Sequence, residues 1–414
     1  MHAQSLTAAA PVAAPALAAR RGGAAELARL LQAARRDTLA TFAAWRAARP
    51  ALQVPPRAEL NPPLWELGHV GWFQSWWLAR FPARALGPHA DPDGPRLAPL
   101  RDGADALYDS GRVPHDRRWS LPLPDAETTL ADLGRGLAQT LDLLAALPAD
   151  AGDEALYFFR LALLHEDMHH EAALYMAQSL GVPIADPRWQ PQPLPEPPPP
   201  LRLPAGAWSL GSGGEAGFAF DNELHGQALA LDATEIDAQV LRWAEFLPFA
   251  DDGGYDQPRW WSDAGWRWRQ GTGRDAPRYL RRDGGGWLQW RAGAWQPLDR
   301  CLAACHLSAF EAEAWCRWAG RRLPTEAEWE RAALTQPQAL RWGAVWEWTA
   351  SPFAPYPGFR PHPYRDYSAP WFDGRPVLRG ASFMTQPRLA HPRYRNYFPA
   401  HRDDVPAGLR SCAR

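Results

Sequence analysis

Apolar residues in the first half of the chain recur at the three-to-four spacing of an amphipathic helix. Four Ala/Leu-rich stretches carry that rhythm, over 24–48, 61–81, 125–147 and 153–180. Four such helices predict a bundle with an inward stripe on each. The rhythm stops at "DPRWQPQPLPEPPPPLRLP", residues 186–204, where so much proline rules out helix and central strand and predicts an extended connector. Beyond it come short alternating runs rich in Gly and Trp, separated by turns, with one clear helix over 308–319. That half reads as irregular α+β. The opening "MHAQSLTAAAPVAAPALAARR" is small and apolar with no positive charge ahead of the run, which predicts a disordered tail rather than a signal peptide. The expected organisation is a tail over 1–22, a bundle over 23–185, a connector over 186–204 and a second domain over 205–414.

The last helical stretch contains "LALLHEDMHHEA". With His165 at zero and about 100° per residue, Phe158, Leu161, His169, Ala172 and Met176 fall within about 40° of it. Arg160, Asp167, His170 and Glu171 fall on the far side, and His170 is expected to face water. His165-Glu166-x-x-His169 matches the H-E-x-x-H pattern of zinc peptidases. Glu171, however, is too close and points away to serve as their third ligand, and Glu166 lies on the flank of the stripe. In the stretch 61–81, Asn61 is placed as an N-cap, and Trp65, His69, Trp72, Phe73 and Trp76 recur at helical spacing, so His69 also points inward. Two readings remain from the residues alone: core histidines satisfied by hydrogen bonds, or three neutral imidazoles around one ion. Three imidazoles leave open positions on an octahedral metal, which suits iron that must take dioxygen and a substrate together.

Composition narrows the class. At 414 residues there is room for two domains. The formal net charge of -2 argues against nucleic-acid binding. The chain has no lysine, which excludes Schiff-base chemistry and a P-loop. Its 4 cysteines (Cys301, Cys305, Cys316 and Cys412) are too few for a disulfide framework and predict reduced thiols in the cytoplasm. No stretch approaches a membrane span.

Several motifs carry a resemblance. "LRLPAGAWSLGS", "RLPTEAEWE", "VWEWTASPF", "VLRGASF" and "AGLRSCA" are similar to the formylglycine-generating-enzyme domain, a fold related to C-type lectins. "GHVGWF" with "HEDMHHE" resembles a DinB-type four-helix bundle. Together they resemble the ergothioneine-type sulfoxide synthases, non-haem iron enzymes that join sulfur to the imidazole carbon of hercynine (Nα-trimethylhistidine). The resemblance implies Fe(II) on His69, His165 and His169, with hercynine, a chalcogen donor and O2 as small-molecule partners. Formylglycine enzymes use a cysteine pair near the C-terminal end of the domain; residues 377–400 hold no cysteine and Cys412 stands alone.

Departures from the family pattern point to the donor. Where that pattern has an acid after an Asn-aromatic pair, "RNYFPAHRDD" keeps Asn396 and Arg402 but places Phe398. Of an upstream arginine pair Arg117 remains, and Pro114 replaces its partner. Losing charges that would grip an amino-acid zwitterion implies a neutral donor, and the pattern resembles the selenoneine-synthase branch, which joins a selenosugar to hercynine. The resemblance assigns hercynine contact to Asn396 and cation–π contact with its trimethylammonium to Tyr397. Met168 stands where a Gln contact is usual. Phe359 stands where a catalytic tyrosine is usual, leaving Tyr364 or Tyr397 as proton donor. Rival readings are a sulfoxide synthase using cysteine or γ-glutamylcysteine, a DinB-type thiol transferase, and a lectin-like binding protein without catalysis.

Overall fold

Each of the four helical stretches forms a helix. The first half comprises α1 (Ala14–Arg21), α2 (Ala24–Ala48), α3 (Pro63–Trp77), α4 (Ala104–Tyr108), α5 (Ala126–Ala145) and α6 (Asp153–Leu180), in a computed structural model that describes residues 14–213 and 217–414. Local chemistry sets their ends. The Asp125 carboxylate accepts the Thr128 N–H at 2.8 Å and caps α5. Gly181 closes α6 at φ 68°, the left-handed region where glycine costs least. Asn61 is not the cap expected: Pro62 holds that position, and the Asn61 amide donates to the Glu66 carboxylate instead. Helices α2 and α3 each pack against both α5 and α6. The Trp45 indole donates to the Ala173 carbonyl at 3.1 Å, and Trp77 stacks on Phe158 with centroids 5.1 Å apart.

The tail expected over 1–22 is corrected in part. Residues 1–13 lie outside the described residues, but Ala14–Arg21 is helical. Ala16 and Ala19 are fully buried, and the Arg20 guanidinium grips both oxygens of Glu223 at 2.6 and 2.8 Å. A buried, bidentate pair to the second half of the chain orders this segment.

The second half contains β1 (Leu201–Leu203), β2 (Gly206–Leu210), β3 (Gln227–Leu231), β4 (Thr234–Ile236), α7 (Trp243–Asp251) and α8 (Asp263–Thr272). Then follow β5 (Leu280–Asp283), β6 (Gly286–Arg291), β7 (Ala294–Pro297), α9 (Ala309–Trp318), α10 (Glu326–Thr335), β8 (Trp346–Pro352), β9 (Pro376–Gly380), β10 (Asn396–Tyr397) and β11 (Ala407–Gly408). The largest sheet runs β10-β9-β8-β11, with β11 parallel to β8 and the other pairs antiparallel. Only α9 was legible beforehand. Pro248 inside α7 and the Gly/Arg content of α8 break the apolar rhythm. Helix α10 does announce itself through the Thr325–Glu328 capping box. The connector is strapped down rather than free: Trp189 is buried, the Leu194 N–H donates to the Cys301 carbonyl at 2.8 Å, and its end, Leu201–Leu203, pairs with β4.

Helix α6 is buried on nearly every side, which overturns the expectation that His170 faces water. His170 is 1% exposed, with Nε2 2.9 Å from the Thr41 hydroxyl and Nδ1 3.3 Å from the Gln386 amide. The second half of the chain covers the face that a bundle alone would leave wet. Among the described residues no helix is long and apolar enough to cross a membrane.

Candidate metal centre

Helices α3 and α6 bring three imidazoles together. The ligand atoms of His69, His165 and His169 all lie within 4.8 Å of one another. The Nε2 atoms of His165 and His169 are 3.2 Å apart, near the spacing of about 3 Å that adjacent nitrogens keep on one ion at metal–nitrogen distances of about 2.1 Å. Two of the rings spend their other nitrogen on the fold. His69 Nδ1 donates to the Tyr108 carbonyl at 2.8 Å, and His169 Nδ1 donates to the Glu66 carboxylate. Both bonds fix the tautomer that leaves Nε2 with its lone pair, the arrangement usual behind metal-bound histidines. Burial, helped by His169, holds His69 down at about 3; burial, with His169 and His69, lowers His165 well below its ordinary value, and both rings are neutral donors at physiological pH. This donor set fits a transition metal.

Glu66 had not been singled out from the sequence. Burial works to raise its carboxyl, but His169, with His69 and Asn61, holds it at about 2. Asn61 donates to Glu66 and accepts from Arg118 at 2.7 Å. The Arg118 guanidinium lies 4.0 Å from the centroid of Trp65, which stacks on His69 at 4.7 Å. Arg118 thus braces His69 through Trp65 and His169 through Asn61 and Glu66. The signal was in the sequence: Glu66 lies one turn before His69, on the same side of α3. Gly68 completes the brace, because a Cβ there would meet the Tyr108 ring at 2.3 Å. Glu166, the base of the peptidase reading, is held by Arg35 at 2.8 and 3.1 Å instead.

His169 forms part of the wall of a cavity of about 250 Å³, together with Met168, Glu171, Trp346, Tyr367, Tyr394, Asn396, Tyr397 and Phe398. Four residues read as substrate contacts therefore share this space: Asn396, Tyr397, Phe398 and Met168. Strand β10 presents Asn396 and Tyr397 by pairing with Leu378 and Val377. Tyr397 stacks on Phe353 at 4.0 Å, and its hydroxyl donates to the Tyr367 carbonyl. The Tyr394 hydroxyl contacts the Met168 sulfur at 3.2 Å and accepts from Tyr367 at 3.0 Å. Neither Tyr367 nor Tyr394 had been singled out.

The remaining expected residues lie elsewhere. Arg402 stacks behind Phe398 at 5.2 Å with its guanidinium held by Asp404 at 2.5 and 2.7 Å. Arg117 is exposed, and its neighbour Arg118 takes the inward place. Phe359 packs on Phe372 at 5.0 Å, outside the cavity. Tyr364 approaches from another side, 6.1 Å from His165 and 4.9 Å from Phe73 between centroids, and burial raises its hydroxyl so that it keeps its proton. Cys301, Cys305, Cys316 and Cys412 are all free.

Comparison with known proteins gives one family match and three relatives. Residues 186–344 match the sulfatase-modifying factor enzyme 1-like domain family. The chain is 32% identical over 407 residues to the hercynine oxygenase of Mycolicibacterium smegmatis, covering 85% of this chain and 90% of that one. It is 32% identical over 410 residues to the hercynine oxygenase of Mycobacterium tuberculosis, with shares of 85% and 90%. Over 144 residues it is 31% identical to the formylglycine-generating enzyme of Streptomyces coelicolor, 32% of this chain and 46% of that one.

Proposed function

The chain belongs to the hercynine oxygenase family, and from that premise we propose that it is an Fe(II)- and O2-dependent enzyme joining a selenosugar to hercynine by a carbon–selenium bond. In this reading the first half is a DinB-like bundle, and His69, His165 and His169 hold the iron. The observation that carries it is the meeting of three imidazoles, one of which, His169, lines a cavity that also holds Asn396, Tyr397 and Phe398. Iron would supply dioxygen activation there.

The chain's own residues do the rest. Asn396 offers an amide to the hercynine imidazole, and the rings of Trp346, Tyr394 and Tyr397 offer faces to its trimethylammonium. Glu171, on the same wall, adds negative charge on that side. Glu66 holds His169 in orientation, and Arg118 braces Glu66 through Asn61. Tyr364 and Tyr397 keep their protons, raised by burial, and are the proton donors of this account. The apolar, aromatic lining keeps bulk water from the reacting groups.

The choice of a neutral donor rests on the cations. Among the described residues no arginine lines the cavity, Arg402 is committed to Asp404, and Arg117 is exposed. A zwitterionic thiol would find no cation there for its carboxylate. Incubating Fe(II)-loaded protein aerobically with hercynine and a selenosugar, cysteine or γ-glutamylcysteine tests the reading. Consumption of the selenosugar in preference to both thiols is expected. Preferential consumption of γ-glutamylcysteine would instead make the protein a sulfoxide synthase.

A further inference from the structure

A second cavity, of about 190 Å³, shares walls with the first. Helix α6 gives Leu174 to this one and Tyr175 to the metal-side cavity, and the chain entering β8 gives Val345 to this one and Trp346 to the other. Its body is apolar, built from Leu174, Ile184, Leu302 and Phe383 among others. Two polar side chains, Gln289 and Arg291, stand in that wall. Gln289, on β6, is 7% exposed and lines the space, yet its amide makes no hydrogen bond among the described residues.

Arg291, two residues on, faces the same space. Its guanidinium donates to the Gln190 amide oxygen at 3.0 Å and makes no ion pair among the described residues. Burial lowers it from its ordinary value, with Asp299 acting against that from outside the cavity wall. Elsewhere in this chain buried arginines sit on carboxylates: Arg20 on Glu223, Arg35 on Glu166, Arg388 on Asp167 and Arg410 on Glu347. Among the described residues no carboxylate lines the cavity, and the Cys305 thiol in its wall is pushed up by burial and stays neutral. A guanidinium without a close ion pair, an amide on the cavity wall and an apolar chamber together describe the negative image of a ligand.

We propose that this cavity is a binding site for a small carboxylate with a flat apolar body. The carboxylate docks on the Arg291 fork and the Gln289 amide, and the body lies against Leu174, Ile184, Leu302 and Phe383. The site is distinct from the metal centre and does not depend on the function proposed above.

Saturation-transfer NMR on the full chain, with benzoate as probe and benzyl alcohol as its neutral counterpart, tests this. Saturable benzoate binding is expected, weakened about tenfold or more by Arg291→Gln and several-fold by Gln289→Leu. Arg291→Lys, which keeps the charge but loses the fork, falls between. Asn396→Ala, in the metal-side cavity, leaves benzoate binding unchanged. The proposal is overturned if benzoate shows no saturable binding up to about 10 mM. It is equally overturned if benzyl alcohol binds as well as benzoate, or if neither Arg291 variant nor Gln289→Leu alters the binding. Circular dichroism of each variant confirms that losses are read on folded protein.

Discussion

Helix α6 carries two kinds of ionisable side chain within seven residues, and the contrast between its faces separates structure from chemistry. On one face every group is answered by the fold. Glu166 meets Arg35. Asp167 meets Arg388 through two bonds of 2.9 and 2.8 Å. Glu171 accepts from Trp346, Ser382 and Thr385, and His170 uses both ring nitrogens. On the other face His165 and His169 turn their Nε2 atoms toward each other and toward His69. Adjacent histidines in one sequence run thus have opposite fates. A buried polar group whose bonds are all spent belongs to the fold; lone pairs left facing one another belong to a ligand.

The sharpest way to break the comparison is to remove one histidine from each face. His165→Ala should strip most of the bound iron and lower turnover by about 10³-fold or more. His170→Ala should keep its iron, at a stability cost of about 1–3 kcal/mol for the groups it leaves unbonded. Metal content by mass spectrometry and turnover on the same samples check both. Loss of iron from His170→Ala would erase the distinction.

The polar face can be challenged next. Arg388→Leu leaves Asp167 buried without a partner and should cost about 3–5 kcal/mol in urea unfolding, with the folded fraction still binding metal. Glu66 stands between the two classes, because the fold answers it and it in turn answers a ligand. Glu66→Gln should weaken iron binding about 10–100-fold by chelator competition, and Glu66→Asp should recover part of the loss. The smallest expected effect lies in donor choice. Phe398→Asp restores a charge beside Asn396 and should shift the ratio of kcat/KM toward γ-glutamylcysteine by about tenfold. An unchanged ratio would remove Phe398 from the specificity argument.

The contrast also explains what the sequence could tell. Helical rhythm located α2, α3, α5 and α6 within a few residues, because each buries a continuous stripe. The phase of α6 put His165 and His169 on one side correctly and misplaced His170. Periodicity assumes one wet face, and here a second half of the chain covers it. Asn61 was read from its position before a helix as a cap, whereas it is engaged with Glu66 and Arg118. Arg117 and Arg118 are indistinguishable in a linear reading; only the turn of His115–Trp119 decides which of them reaches Trp65. Helices α7 and α8, broken by proline and glycine, carry no stripe to detect.

The central claim is that the imidazoles of α3 and α6 share one metal ion. X-ray absorption at the iron edge of the Fe(II)-loaded protein tests it most directly. The account predicts three imidazole nitrogens per iron, falling to two in any His69→Ala, His165→Ala or His169→Ala protein that still retains metal. A wild-type spectrum with fewer than three, or one unaltered by all three substitutions, would contradict it.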